Sequence, residues 1–314
     1  MIKRKEIAKR IENELDFTFS AEIQKIDTVA EFEANILSPY NEGRKIFYRG
    51  ERRNSITRPL LPSIFRSRER FFEENEKVTA VNNLTLYNYY KKYSEYFELY
   101  ENILGKINRS EMYSFLAFSQ HYFGLSPLID FTKSPYVALS FALKDRTNYE
   151  ENILFYTLEL KNQEDYTTDI DTANRWLDSY SVLLFNNVTK VELDNPFDAL
   201  NDFKIISENF KGHRLLEITS PSAKLIDVPT NDLMKYQQGV FLLLDDFSLV
   251  GKSYFTKKIR DDFTIRKWII NKEICPALLE RLNSEKPYYA YKNITNLSGV
   301  VSQIKQNTNT LQKR

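Results

Sequence analysis

Cysteine is nearly absent from this chain: Cys275 is the one example in 314 residues. An intramolecular disulfide is therefore excluded, and a structural thiolate metal site is not expected. Histidine is almost as scarce. With only His121 and His213, a histidine-rich metal centre cannot be assembled, so no metal is expected. A Ser-His-Asp hydrolase would have to use one of those two, and the chain has no Gly-X-Ser-X-Gly elbow. Glycine is low at 8 residues, and no Gly-X-Gly-X-X-Gly, His-Glu-X-X-His or paired Cys-X-X-Cys occurs. Gly251-Lys252-Ser253 mimics the end of a phosphate-binding loop, but position 246 is Asp where that loop requires glycine. Long apolar runs are missing too. The strongest, residues 240–244, is far too short to cross a bilayer. The basic opening of the chain lacks the apolar stretch of a signal peptide. The expectation is a cytoplasmic protein with no membrane partner.

What is present supports a folded domain. Hydrophobic residues make up 42% and charged residues 28%, enough to build a substantial core and keep a wet surface. A formal net charge of +1 does not mark the whole molecule as a polyanion binder. Locally the balance differs. Residues 44–70 carry nine basic side chains, eight of them arginine, against Glu51 and Glu69. Arginine forks suit phosphates, and a solvated charged face accounts for the run equally well. Few glycines with abundant Asn, Lys, Ile and Tyr is the bias of an AT-rich bacterial or phage genome.

The pattern of apolar residues predicts a polar helix over residues 1–26, with Ile7, Ile11 and Leu15 on one face. A short helix follows at 29–36, then a strand at 45–49 that ends at Gly50. Tyr87, Tyr90, Tyr93, Phe97, Tyr100 and Leu104 fall at helical steps within a helical stretch, 68–106, and form a stripe better suited to a core than to stacking bases. Helices are expected at 110–118 and 134–143, the latter with Pro135 in its first turn. Another is expected at 272–283. Strands are expected at 153–160, 224–228, 237–244 and 264–270, with an extended run at 125–131; residues 161–195 read as irregular. Without regular βαβ spacing, the class is α+β, with one or more small, mixed, mostly antiparallel sheets flanked by helices. The division is an N-terminal helical extension at 1–29, an α+β domain at 30–305 and a polar tail at 306–314.

Three blocks carry chemistry. Phe47-Tyr48-Arg49-Gly50 places an arginine behind an apolar strand. Such an arginine is half-buried and needs an internal carboxylate or a ligand as its partner. Residues 119–142 bring together Gln120, His121, Asp130 and Thr132 beside apolar anchors. Asp130 and Thr132, two apart on an extended chain, face the same side. The helix start at Thr132 and Ser134 is an anion cradle or simply a cap. Tyr236-Gln237-Gln238-Gly239 sets two amides at the start of a strongly apolar strand.

In this order and spacing the blocks resemble the FRG domain family. The match runs through Phe47-X-Arg49-Gly50, Gln120-His121, Leu128-Ile129-Asp130-Phe131-Thr132-X-Ser134-Pro135, Ala138–Ala142, and Gln237-X-Gly239-X-Phe241, with residues 296–300 similar to the closing segment. Here the family's glycine after Gln-His is displaced to Gly124, Phe131 stands for a common Trp, and an Arg before the Leu-Asp segment is replaced near Pro127. FRG domains look distantly like the ADP-ribosyltransferase fold. The resemblance implies an NAD-dependent ADP-ribosyltransferase or NAD glycohydrolase, a toxin or defence effector, with NAD as substrate and a protein or nucleic-acid acceptor. Arg49 would grip the NAD phosphates or ribose, with Gly50, Gln120 and Ser134 beside it, and Thr132 would support the nicotinamide side. Gln237 or Gln238 would complete the site, and since a glutamine is no base, Asp130 or His121 would activate the acceptor. The alternative is a non-catalytic module that binds a nucleotide or nucleic acid through the basic 44–70 stretch.

Overall fold

Strand β4 (Ile153–Leu160) shows why the sheet forms where it does. Six of its residues in a row are buried, as expected of a strand covered on both faces and paired on both edges. It lies antiparallel to β2 (Ile46–Glu51) on one side and to β8 (Phe263–Ile270) on the other. A computed structural model describes residues 22–52, 62–65, 85–90, 112–144, 151–161, 163–177, 223–229, 231–244 and 263–295. Among these, the remaining strands are β1 (Glu22–Ile26), β3 (Leu128–Thr132), β5 (Tyr166–Thr167), β6 (Ala223–Ile226) and β7 (Gly239–Leu244). All eight join one sheet in the order β1-β8-β4-β2-β3-β7-β6-β5. The pairs β1–β8 and β5–β6 are parallel, and the rest are antiparallel. The α+β class with a mixed, mostly antiparallel sheet holds; among the described residues the strands form one sheet, larger than expected.

Helices cover the sheet. Thr28 and Glu31 form a reciprocal capping box at the start of α1 (Val29–Phe32). The chain continues through a π-turn (Glu33–Leu37) into α2 (Ser38–Asn41). Every residue of α3 (Met112–Phe118) is buried. Helix α4 (Pro135–Leu143) begins as expected, with Ser134 as its cap and Pro135 in the first turn. Shorter α5 (Asp232–Tyr236), longer α6 (Cys275–Glu285) and α7 (Tyr291–Ile294) follow; residues 85–90 and 170–177 are also helical. Alternation along the strands sorts side chains to two faces. Tyr48, Phe155 and Trp268 pack with Ala138 and Ala142 of α4, and Leu128, Phe241 and Leu243 pack with α3. Phe47, Ile129, Leu158 and Val240 belong to the core of the opposite face.

Three expectations are corrected. Residues 22–26 are not the end of a helix but strand β1, held parallel to β8 from Glu22–Arg266 to Ile26–Ile270. Residues 237 and 238 are a turn after α5 rather than the first part of β7. The stretch expected to be irregular contains β5 and the helical residues 170–177. Residues 1–21, most of the 68–106 stripe, the Gly251-Lys252-Ser253 turn and residues 296–300 lie outside the described residues.

Candidate functional site

Arg49 follows three buried residues of β2, so its guanidinium starts inside the protein. Strands β2 and β3 share a single bridge, Tyr48–Thr132. Beyond that bridge the β3 carbonyl of Asp130 is met by a side chain: Arg49 Nη1 donates to it at 2.9 Å. Arg49 Nε donates to Glu51 Oε1 at 2.9 Å, and Nη1 lies 3.6 Å from Asp130 Oδ2. Arg49 and Glu51 are mostly buried, at 16% and 11% side-chain exposure, while Asp130 keeps 40%. Burial alone would lower the guanidinium pKa, but Glu51 and Asp130 together outweigh it and raise Arg49 above the ordinary arginine value. The cation is permanent.

Asp130 is held from a second direction. Gln120 Nε2 donates to its Oδ2 at 2.6 Å, and the Ser63 hydroxyl lies 3.3 Å from Gln120 Oε1, which sets the orientation of the amide. Ser63 Oγ also accepts from the Ser126 N–H at 2.8 Å. The other carboxylate oxygen, Asp130 Oδ1, is buried without a hydrogen-bond partner. Buried acceptors left unsatisfied are uncommon in folded proteins.

Gln120 and His121 sit on a π-turn (Ser119–Phe123) that continues α3 and closes at Gly124, whose φ of 65° is left-handed. Such turns recur at functional sites because they redirect side chains off a helix. His121 is exposed, with its ring 5.7 Å from that of Phe241. Phe241 is the register partner of Asp130 on β7, so the imidazole lies next to the Asp130 position.

The other expected residues gather at the end of β3 and are committed to the scaffold. Thr132 Oγ1 donates to the Gln237 carbonyl at 2.7 Å and accepts from the Ser134 N–H at 3.1 Å. Ser134 Oγ accepts from the Val137 N–H and caps α4. Gln237 is buried, and its Nε2 donates to the Ile294 carbonyl at 2.8 Å, binding the turn to α7. Gln238 has a left-handed φ of 50°. Its Nε2 donates to Tyr289 Oη at 3.2 Å, and its carbonyl accepts from the Lys133 N–H. Gly50 lies under α4, with its missing side chain occupied by the Ala138 carbonyl.

The structure thus brings Arg49, Gln120, Asp130 and His121 to one locus, with Thr132, Ser134, Gln237 and Gln238 linked to one another beside it. Sequence reasoning missed Glu51 and Ser63. Glu51 was within reach, because it lies two residues from Arg49 on the same face of β2; Ser63 carried no signal. Among the described residues no group of three or more His, Cys, Asp or Glu side chains could hold a metal ion. No helix among them is long and apolar enough to cross a membrane.

No curated protein and no solved structure matches the chain. The family model of the FRG domain matches residues 44–151. That span includes Arg49, Glu51, Ser63, Gln120, His121 and Asp130, all of the locus described above, and excludes Gln237 and Gln238. By this match the chain carries an FRG domain, at residues 44–151.

Proposed function

We propose that the protein is an ADP-ribosyltransferase-like enzyme that uses NAD as substrate, transferring ADP-ribose to an acceptor or hydrolysing the nicotinamide–ribose bond. The observation that carries this reading is Asp130: one carboxylate oxygen is fixed by Gln120 and Arg49, and the other is left without a partner. Breaking the nicotinamide–ribose bond sends the bonding electron pair to the departing nicotinamide and builds positive charge on the ribose. A pre-oriented carboxylate stabilises that charge without reorganising during the reaction. The attacking water or acceptor hydroxyl must then lose a proton, and exposed His121 beside Asp130 is the group assigned to take it. Gln237, whose amide is engaged by Ile294, is assigned to holding the site together rather than to chemistry. Consumption of NAD would suit a toxin or defence effector.

The alternative, a phosphate-driven nucleic-acid module, rests among the described arginines of the basic stretch on exposed Arg52, since the other two are engaged by carboxylates. Arg44 is paired with Glu159, and Arg49 with Glu51. The test is incubation of the full chain with NAD, alone and with cell lysate, following nicotinamide release and label transfer. Wild type is expected to give at least one of the two, and Asp130→Asn to lower the rate about 100-fold, with its fold checked by circular dichroism. Absence of both release and transfer overturns the enzyme reading.

A further inference from the structure

We infer that the ligand group received at the Arg49–Glu51–Asp130 cluster is a cation or a polyhydroxyl, not a phosphate. Within the NAD reading on which this rests, the nicotinamide riboside end meets Asp130, and Arg49 is a positioning residue for the two carboxylates rather than a phosphate clamp.

The first ground is charge. One arginine stands against two carboxylates, Glu51 at 2.9 Å and Asp130 at 3.6 Å, leaving one formal negative charge uncompensated. Among the described residues, no second cation is recorded in contact with either carboxylate. A phosphate placed here meets like charge in a half-buried setting, where screening by water is weak.

The second ground is directional. An arginine grips a phosphate through two parallel N–H bonds from one edge of its fork. Here Nε is directed at Glu51 and Nη1 at the Asp130 carbonyl, so the Nε edge and the inner nitrogen are already spent on protein acceptors.

The third ground is what remains unfilled. The Gln120 amide nitrogen already donates to Asp130 Oδ2, whereas Asp130 Oδ1 has no donor. Oδ1 is closed to solvent, so a ligand meets Asp130 on the exposed part of its side chain, and the carboxylate it meets there is an acceptor. Ribose hydroxyls donate to carboxylates, and a pyridinium ring brings the missing positive charge; the ionised pyrophosphate bridge of NAD has no proton to donate and offers acceptors alone.

The experiment is isothermal titration of the full chain with nicotinamide riboside, a pyridinium cation with a ribose and no phosphate, and competition by inorganic pyrophosphate. NAD turnover is measured on the same preparation. Wild type is expected to bind nicotinamide riboside, pyrophosphate is expected not to displace it, and Asp130→Asn is expected to weaken binding about tenfold or more. Displacement by pyrophosphate, or undiminished binding to folded Asp130→Asn, overturns the inference; if NAD is still turned over, the enzyme reading survives it. Failure of both nicotinamide riboside binding and NAD turnover overturns both. Binding without turnover supports the charge assignment and removes the enzyme reading. Should Asp130→Asn not fold, the wild-type competition decides alone.

Discussion

Gly50 is the residue whose side chain the fold cannot accommodate. A Cβ built there would lie 1.9 Å from the Ala138 carbonyl oxygen and 2.9 Å from Ala142 Cβ. Backbone cannot swing aside as a flexible side chain can, so Gly50→Ala must push α4 off β2. The expected cost is about 3 kcal/mol or more, read as a lower urea midpoint; an unchanged midpoint would contradict the packing. Gln238 is the reverse case, a side chain where glycine fits. Relief of its left-handed φ offsets the lost bond to Tyr289, so Gln238→Gly should change stability by less than about 1 kcal/mol. Gln238→Val should cost about 2 kcal/mol, because a branched side chain strains that conformation. Tyr48 and Tyr113 extend the argument to alkali. Burial raises both above the ordinary 10.0, with Tyr40 adding for Tyr48 and Asp227 for Tyr113. Both phenols are therefore easier to ionise in the unfolded chain. Their contribution is intact below about pH 10 and is lost as pH rises through the higher folded values. Denaturant unfolding followed by tyrosinate absorbance should show stability falling above about pH 10, and a flat profile to about pH 12 would contradict it.

At the scale of elements, Thr132 joins β3, the start of α4 and the turn before β7 through one hydroxyl. Thr132→Val keeps the shape and leaves the Gln237 carbonyl and the Ser134 N–H without that partner. A loss of about 2 kcal/mol is expected in chemical denaturation, larger than the roughly 1 kcal/mol expected for Ser134→Ala, which removes only a cap. Which elements were legible follows from where their stability originates. β4 was readable end to end, because a centre strand advertises itself as an apolar run, and α4 because Ser134 and Pro135 mark its start. β1 was not. Its sequence, Glu-Ile-Gln-Lys-Ile, is polar, Ile23 remains exposed, and its strand form comes from pairing with distant β8. The turn at Gln237 and Gln238 was read as strand because α5, five residues long, is too short for a helical period to show. At the site, the need of Arg49 for a partner, an internal carboxylate or a ligand, was readable from its place behind an apolar strand. The bond from Gln120 to Asp130 was not, since it depends on a π-turn that no residue pattern announces.

The whole molecule is larger than its recognisable segment. Residues 44–151 hold β2 and β3 but end before β4 begins at Ile153, and β6, β7 and β8 follow later still. Those two strands share one bridge pair, while the long partners of each lie outside the segment. Two strands without a sheet to cover them are at best marginal in water. A fragment of residues 44–151 is therefore expected to lack dispersed amide resonances and a cooperative melt, whereas the full chain shows both; a sharp transition from the fragment would contradict the single-sheet architecture.

The parallel pairing of β1 with β8 sets an order of events during synthesis. Glu22 finds its register partner in Arg266 and Ile26 in Ile270, so the strand translated first among the eight waits for the one translated last. Until then Ile26, wholly buried in the finished protein, has no neighbour strand, and β4 has an open edge where β8 will dock. A nascent chain halted short of residue 263 would expose both. Such distant pairing slows folding and lengthens the period in which sticky edges are bare, which makes the growing polypeptide, more than the mature one, the form exposed to aggregation.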